Sequence, residues 1–324
     1  MYKLDQPAAP QDSGLHLLRP SAGGYTAQRV WAGDARSCCI WDQPPGGQER
    51  ATTAAANAGG GGSGEVGLAV GTEPADVFVS LDGGSAWSAG TSSFEGAPSR
   101  PSWSFPAPPH QPHVLSLERT ASGQLVAGIE VGGVQVGGGP SFDRFEERNE
   151  GLYADVHSCR IDPHNPRHWL AVTGRGLYAS DDAGSSWRAQ GSWKGRYTIG
   201  LAFNPQLEAS GSSSPAGCAW DGEVLVAAGD RPPAVGVHIY RSADGGESFQ
   251  DITEVAFTGE TAEARGSRTP VPYFLGGQAL LGTDTGHLLA SDDAQRRSWH
   301  IVCRLPHPIL CMCAPGQSPA SIMH

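Results

Sequence analysis

Polar residues with chemically active side chains recur at two equivalent kinds of position along this chain. Some open short apolar segments, and the others follow the next apolar segment. If these groups converge, they form a site able to bind an anionic or polyhydroxylated ligand, or to transfer protons. The alternative interpretation is a solvated channel lining whose polar groups are bridged by water. The candidate ligand-binding residues are Glu73, His113, Glu130, His157, Arg175, Arg196, Tyr197 and Tyr273.

These side chains converge only if the elements that carry them are arranged symmetrically, and the sequence contains a repeat that would do this. Four segments show Ser, Asp, Gly and an aromatic residue after a short alternating apolar stretch, although the fourth has Gln295 in place of the glycine and one extra residue. Such a pattern is typical of a strand that ends in a tight turn. The repeat residues are Ser80, Asp82, Gly84 and Trp87; Ser180, Asp182, Gly184 and Trp187; Ser242, Asp244, Gly246 and Phe249; and Ser291, Asp293 and Trp299.

The repeat resembles the Asp box, or BNR repeat, of sialidases, sortilin-type receptors and photosystem II assembly factors. This resemblance implies a β-propeller of four-stranded blades. The Ser hydroxyl and the Asp carboxylate can satisfy backbone N–H groups inside the turn, so we interpret these residues as structural and not as catalytic. Short matches around Gly71, Trp103, Gly128 and Asp155 are similar to bacterial-type propellers that are grouped with glycosyl hydrolases or with photosystem II assembly factors.

The spacing of the repeats predicts the number of blades. The first interval is about twice the others, so residues 125–145 are expected to belong to a blade whose box has decayed. Strand-like pieces in residues 14–41 and 309–324 are expected to complete a further blade together. The sequence therefore predicts an all-β chain that forms a single propeller domain over residues 1–324. Six blades are expected, with seven as the alternative.

Three other stretches interrupt or join the predicted blades. Residues 43–63 and 206–217 are low in complexity and are expected to be loop inserts between first and second strands. Residues 99–113 are rich in proline and aromatic residues and join the first two predicted blades. Their stiffness fits an ordered connection or, alternatively, a lid across one face.

The composition narrows the classes of function. A formal net charge of −11 over 324 residues argues against nucleic-acid binding. No stretch approaches the roughly 18 apolar residues of a membrane span, and the N-terminal residues lack the features of a secretory signal. We expect a soluble, monomeric protein of the cytoplasm or of an organelle. Seven cysteines without a disulfide pattern are expected to be reduced thiols, and neither a metal site nor a cofactor is predicted.

Two classes of function stay open. A sialidase resembling this repeat needs an arginine cluster, a Tyr nucleophile with a Glu partner, and an Arg-Ile-Pro or similar motif, which the sequence lacks. For a glycosidase with two carboxylates, Glu73 with Glu130 is the candidate pair. Asp boxes alone do not make an enzyme. We therefore expect a non-enzymatic binding or scaffold propeller whose partner is a protein or a small polar or glycan ligand, with a glycoside hydrolase as the alternative.

Overall fold

In the computed structural model of this chain, five antiparallel β-sheets of the described residues form the blades of a propeller. The structure describes residues 14–21, 24–42, 66–88, 94–138, 142, 144–206, 222–230 and 236–314. Four of the sheets have four strands in sequence order. The first sheet has three strands, and an isolated bridge between Val79 and Ser88 takes the place of its fourth.

The strands follow one another along the chain as a hairpin and then as the five blades. The hairpin pairs β1 (Gly14–Ser21) with β2 (Gly24–Ala32). The blades are β3 (Ala35–Asp42), β4 (Val66–Thr72) and β5 (Val77–Ser80); β6 (His113–Arg119), β7 (Leu125–Glu130), β8 (Gly133–Gly137) and β9 (Phe145–Glu147); β10 (Val156–Ile161), β11 (Trp169–Thr173), β12 (Gly176–Ser180) and β13 (Arg188–Ala189); β14 (Tyr197–Phe203), β15 (Val224–Gly229), β16 (His238–Ser242) and β17 (Gln250–Asp251); and β18 (Val271–Leu275), β19 (Gln278–Gly282), β20 (His287–Ser291) and β21 (His300–Arg304). Short helical segments are α1 (Thr253–Ala256) and the 3-10 helices Arg100–Ser102, Gly191–Trp193 and Gly259–Gly266.

The expectation of six blades, or of seven, is wrong. Strand β3, which was assigned to a composite sixth blade, is the inner strand of the first blade and pairs with β4. The described residues after β21 form no strand. Instead, Ile309 donates its backbone N–H to the Thr283 carbonyl at 2.9 Å, beside the fifth blade. Residues 315–324 lie outside the described residues, as do the insert 43–63 and, apart from Gln206, the insert 206–217.

The second strand of each blade carries the densest part of the core. Strands β7 and β15 are buried along their entire lengths. A strand that is covered on both faces shows a continuous apolar run in place of alternation, and burying such residues is the main driving force for folding. The inner strands β3, β6, β10, β14 and β18 pack side by side in that order. Within the described ranges, no helix has both the length and the apolar character needed to cross a membrane.

Three of the turns that follow third strands, those after β5, β12 and β16, share one hydrogen-bond pattern. In the third blade, the Ser180 hydroxyl donates to the Asp182 carboxylate at 2.8 Å and accepts the Gly184 N–H at 2.9 Å. The Asp182 carboxylate also accepts the Ser186 N–H at 2.8 Å. The same contacts occur at Ser80, Asp82, Gly84 and Ala86, and at Ser242, Asp244, Gly246 and Ser248.

The aromatic residues of these turns differ in exposure. Trp187 and Trp299 are buried, whereas Trp87 and Phe249 are half-buried. The turn of the fifth blade has no glycine, and Arg296 adopts the left-handed conformation there with φ of 56°. That conformation is uncommon outside glycine, so the surrounding contacts must hold it in place.

Candidate functional site

The starts of the inner strands meet at one end of the central channel and bring side chains from neighbouring blades together. Strand β6 begins at His113, whose partner across the sheet is Glu130, the last residue of β7. In β10 the register shifts at His157, which becomes an extra residue in the ladder. Strand β3 has the same irregularity at Arg36. Bulges of this kind redirect side chains, and here they occur where the polar residues lie.

Five of these residues form a connected group that we name the mouth cluster: Glu73, His113, Glu130, Asp155 and His157. The His113 Nδ1 atom lies 2.8 Å from Glu130 Oε2, and its Nε2 atom lies 3.0 Å from Glu73 Oε1. The His157 Nε2 atom lies 3.5 Å from Asp155 Oδ1 and 4.0 Å from Glu130 Oε1. Three carboxylates from the first three blades are thus linked through two imidazole rings.

Cationic and aromatic side chains flank the mouth cluster. Arg36 forms ion pairs with Glu73 and with Asp34. The Arg175 guanidinium stacks on the Tyr153 ring, 4.3 Å from its centroid. The centroids of the Phe105 and His113 rings are 4.9 Å apart, so part of the proline-rich connection 99–113 borders the site. Both arginines therefore have partners of their own next to the cluster.

Burial and charge shift the proton affinities of two rings at this site. His113, Glu130 and His157 are each less than one-tenth exposed. Burial alone disfavours a charged imidazolium, but Asp155 and Glu130 outweigh it and raise the pKa of His157. The centroids of the Tyr197 and His157 rings are 4.7 Å apart. Burial, and then the charges of Glu130 and Asp155, raise the pKa of the Tyr197 hydroxyl well above its usual value.

The structure separates two of the candidate residues from the others. Glu73, His113, Glu130, His157 and Tyr197 lie together, with Arg175 at their edge. The Arg196 side chain contacts the Tyr240 hydroxyl and lies 5.0 Å from the centre of that ring, in the fourth blade. Tyr273 lines a cavity at the other end of the inner strands.

This cavity, which we name the second cavity to distinguish it from the channel mouth, has a volume of about 100 Å³. It is lined by residues near the ends of the inner strands. Burial raises the pKa of Glu118 in its wall to about 7, against an opposing effect of Arg160, whose Nη1 atom is 3.7 Å from the carboxylate. Three cysteines, Cys38, Cys39 and Cys313, are also in the lining. The cavity is mainly apolar and has fewer convergent polar groups than the mouth cluster, so we place the candidate site at the mouth.

Arg36 is the contributor to the site that the sequence did not indicate. Asp155 lies one residue before the inner strand of the third blade, and the sequence already places it with His157 at a strand start, although it is not one of the candidate ligand-binding residues. Arg36 could not be placed because β3 was not recognised as an inner strand. Without that assignment, nothing aligned Arg36 with His157.

The arrangement favours ligand binding over catalysis by two carboxylates. A retaining glycosidase needs its two carboxyl groups about 5–5.5 Å apart across an open space for the sugar. Here the His113 ring lies between Glu73 and Glu130 and contacts both. A tyrosine nucleophile would need a hydroxyl that ionises more easily, yet the pKa of Tyr197 is shifted upward. Glu130, Asp155 and His157 are of types that can hold a metal ion, with ligand atoms within 4.8 Å of one another.

Comparisons with known proteins find similar folds only. No protein-family model matches this sequence, and no curated protein sequence matches it. Solved structures do match. YCF48 bound to a D1 peptide is 13% identical, with a TM-score of 0.47, over 89% of this chain and 75% of that one. The extracellular domain of a putative hybrid two-component system from B. thetaiotaomicron is 15% identical, with a TM-score of 0.46, over 83% of this chain and 31% of that one.

A third structure, of an ancestral GH74 enzyme, is 16% identical, with a TM-score of 0.40, over 56% of this chain. This chain covers 22% of the length of that enzyme. At such identities the likeness concerns the propeller fold and does not extend to activity.

Proposed function

We propose that this chain is a non-enzymatic binding propeller whose ligand site is the mouth cluster. The observation that supports this most strongly is the convergence of three carboxylates, from Glu73, Glu130 and Asp155, with two histidines at one end of the channel. Each of the first three blades contributes through an equivalent strand start or strand end. A few convergent polar groups that fix the orientation of a ligand are a usual feature of small-ligand sites.

The chemistry of the cluster selects a ligand that donates hydrogen bonds. Ionised carboxylates only accept hydrogen bonds, and they repel anions at short range. The neighbouring arginines, Arg36 and Arg175, are already engaged with Glu73 and with the Tyr153 ring. Sugar hydroxyl groups and amines fit this surface, and carboxylated sugars do not. The anionic ligands that the sequence left open are therefore disfavoured.

A titration with three matched oligosaccharides tests the proposal: neutral, amino-substituted and sialylated chains of equal length, followed by calorimetry. We expect the neutral or amino chains to bind and the sialylated chain not to bind. Glu130→Gln should weaken binding at least about tenfold, since a charge-assisted hydrogen bond is lost. Glu146→Gln is the control, because Glu146 is an exposed glutamate of the same blade. Preferred binding of the sialylated chain, or unchanged binding by Glu130→Gln, would contradict the proposal.

The same variants address the alternative of a glycoside hydrolase. A panel of aryl glycosides is incubated with the wild type and with Glu130→Gln. The binding function predicts no turnover by either protein. Hydrolysis by the wild type that disappears in Glu130→Gln, with sugar binding retained, would establish the hydrolase in its place.

We also infer that the turns after β5, β12 and β16 are Asp boxes. Support comes from the hydrogen bonds that Ser180 and Asp182 make inside their own turn, repeated in the first and fourth blades. Because these polar atoms are satisfied locally, the aspartates are structural. Asp182→Ala should therefore leave ligand binding by the folded protein unchanged.

A further inference from the structure

We propose that Glu130, Asp155 and His157 form a binding site for a divalent first-row transition metal of the zinc class. This goes beyond the sequence, from which no metal site was expected. The three ligand atoms lie within 4.8 Å of one another. The site uses three residues of the mouth cluster, so the ligand selectivity argued above applies to the metal-free protein, and metal binding does not require that ligand.

The His157 imidazole supplies the observation that points to a metal ion. This side chain is 5% exposed, and its Nε2 atom has no hydrogen-bond partner although it faces Asp155 and Glu130. A buried polar atom without a partner is costly, so such an atom calls for an explanation. The Nδ1 atom lies 2.5 Å from the Thr198 carbonyl, which only accepts hydrogen bonds. In the neutral ring, the Nδ1 atom therefore carries the proton and the Nε2 lone pair is available to a metal ion, which displaces any second proton when it binds.

Two of the proposed ligands, His157 and Glu130, also make the kind of hydrogen bond that orients metal ligands in known sites. A metal-binding histidine usually donates its other N–H to a carbonyl or carboxylate, and ligating carboxylates are hydrogen-bonded in turn. His157 meets the first condition through Thr198. Glu130 meets the second, since its Oε2 atom contacts His113 Nδ1 at 2.8 Å while its Oε1 atom faces His157. Both side chains are thus held in place before an ion enters.

Asp155 is placed by a glycine. A Cβ atom at Gly174 would lie 2.2 Å from Asp155 Oδ2, so any larger residue would displace this carboxylate. The Gly174 N–H also donates to the Asp155 carbonyl at 3.0 Å. The position of the third proposed ligand, Asp155, therefore requires glycine at position 174, where the backbone lies close to the carboxylate.

The distances and donor types select the metal. Ligand atoms around a tetrahedral zinc ion with bonds near 2.0–2.1 Å are separated by about 3.3 Å. The His157 Nε2 atom is 3.5 Å from Asp155 Oδ1 and 4.0 Å from Glu130 Oε1, so these distances need to shorten by less than about 1 Å, and the two carboxylate oxygens, which lie within 4.8 Å of each other, by up to about 1.5 Å. One imidazole with two carboxylates suits zinc and its neighbours, whereas calcium and magnesium prefer all-oxygen sites. Three protein ligands leave a position open towards the channel.

Zinc titration of the chelator-treated full chain, in competition with a fluorescent chelator, tests this site. We expect one zinc ion per chain to bind at the mouth. Affinity should fall at least about tenfold in His157→Asn and in Asp155→Asn. Zinc should raise the melting temperature of the wild type and not that of His157→Asn, because an ion that binds only the folded state stabilises it. Calcium at the same concentration should have no effect on melting.

Two controls separate this site from other zinc ligands. His238→Asn removes a histidine that contacts Asp251 at 2.8 Å in the outer part of the fourth blade, and it should leave zinc affinity unchanged. Cys38→Ser removes a buried thiol near the second cavity and should also leave it unchanged. Absence of zinc binding, or loss of binding in Cys38→Ser with retention in both His157→Asn and Asp155→Asn, would overturn the proposal. Because no sugar is present, failure here leaves the proposed ligand site intact, and the converse also holds.

Discussion

Replacement of Arg296 by methionine removes a guanidinium that joins the fourth and fifth blades. The Arg296 side chain is 1% exposed. Its Nε and Nη2 atoms donate to the two carboxylate oxygens of Glu223 at 2.9 and 2.7 Å. It also donates to the backbone carbonyls of Ser291, Asp293 and Gly277 at 2.9 to 3.1 Å. Methionine fills much of the space and makes none of these five bonds.

The expected loss of stability depends on the groups that Arg296→Met leaves buried without the guanidinium. Removing one partner of a buried ion pair costs about 3–5 kcal/mol, because the other charge loses its compensation. Glu223, which is 6% exposed, keeps Arg241 at 2.6 Å and the Asn204 amide at 3.0 Å. This places Arg296→Met near the lower end of the range, while the three stranded carbonyls act in the opposite direction. We expect a loss of about 3–4 kcal/mol in the free energy of unfolding.

Urea denaturation followed by circular dichroism measures this loss, with Arg297→Met as the matched control. Arg297 is exposed, so its replacement should change the free energy of unfolding by less than about 0.5 kcal/mol. The double variant with Glu223→Gln should lose less than the sum of the single variants, since neither charge is then left alone. A loss below about 1 kcal/mol for Arg296→Met, or additivity in the double variant, would refute the reasoning.

Three further variants test the packing and the ionisation of the blades. Trp187→Ala should cost about 3–5 kcal/mol, because this buried ring packs against Trp169; an unchanged urea midpoint would contradict the assignment. Burial raises the pKa of Glu118 to about 7, so the folded state binds the extra proton and wild-type stability falls as the pH rises from about 4.5 to 7. Glu118→Gln should remove this loss and be more stable than the wild type by about 3 kcal/mol at pH 8, but not at pH 4, in paired melts. The hydrogen bonds from Ser186 and Ser180 lower the pKa of Asp182 to about 2, so its stabilisation is present above pH 4 and lost as the pH falls towards 2. Asp182→Ala should abolish that loss and cost about 1 kcal/mol at pH 7, which urea titration at both pH values would detect.

The individual strands could be predicted closely because their signals are local. The sequence pattern predicts strands at Val156–Ile161, Trp169–Thr173, Tyr197–Phe203 and Gln278–Gly282, and β10, β11, β14 and β19 have these bounds. Each is an apolar stretch bounded by turn residues, so the pattern inside one repeat is enough to predict where the strand begins and ends. The blade expected around residues 125–145 is also present, with β8 and β9 where the box is missing.

The number of blades could not be predicted in the same way, because it depends on a pairing across a long insert. Strand β3 ends at Asp42, and its partner β4 begins at Val66. Loop closure becomes only slowly more costly with length, so the chain tolerates this gap. An assignment that pairs only segments adjacent in the sequence misses the pairing of β3 with β4. The inner strand of the first blade was therefore counted towards a separate blade.

The same distinction between local and distant contacts explains which polar residues are candidates for function. Ser180 and Asp182 find their partners within their own turn, so a single repeat determines both their positions and their role. His157 depends on Thr198 of the next blade and on Glu130 of the previous one, and it occupies a bulge that no sequence period predicts. Selection for stability alone would favour local satisfaction, since a buried imidazole nitrogen without a hydrogen bond is costly. The metal ion that we propose at His157 would give this buried atom, which faces two carboxylates, a partner.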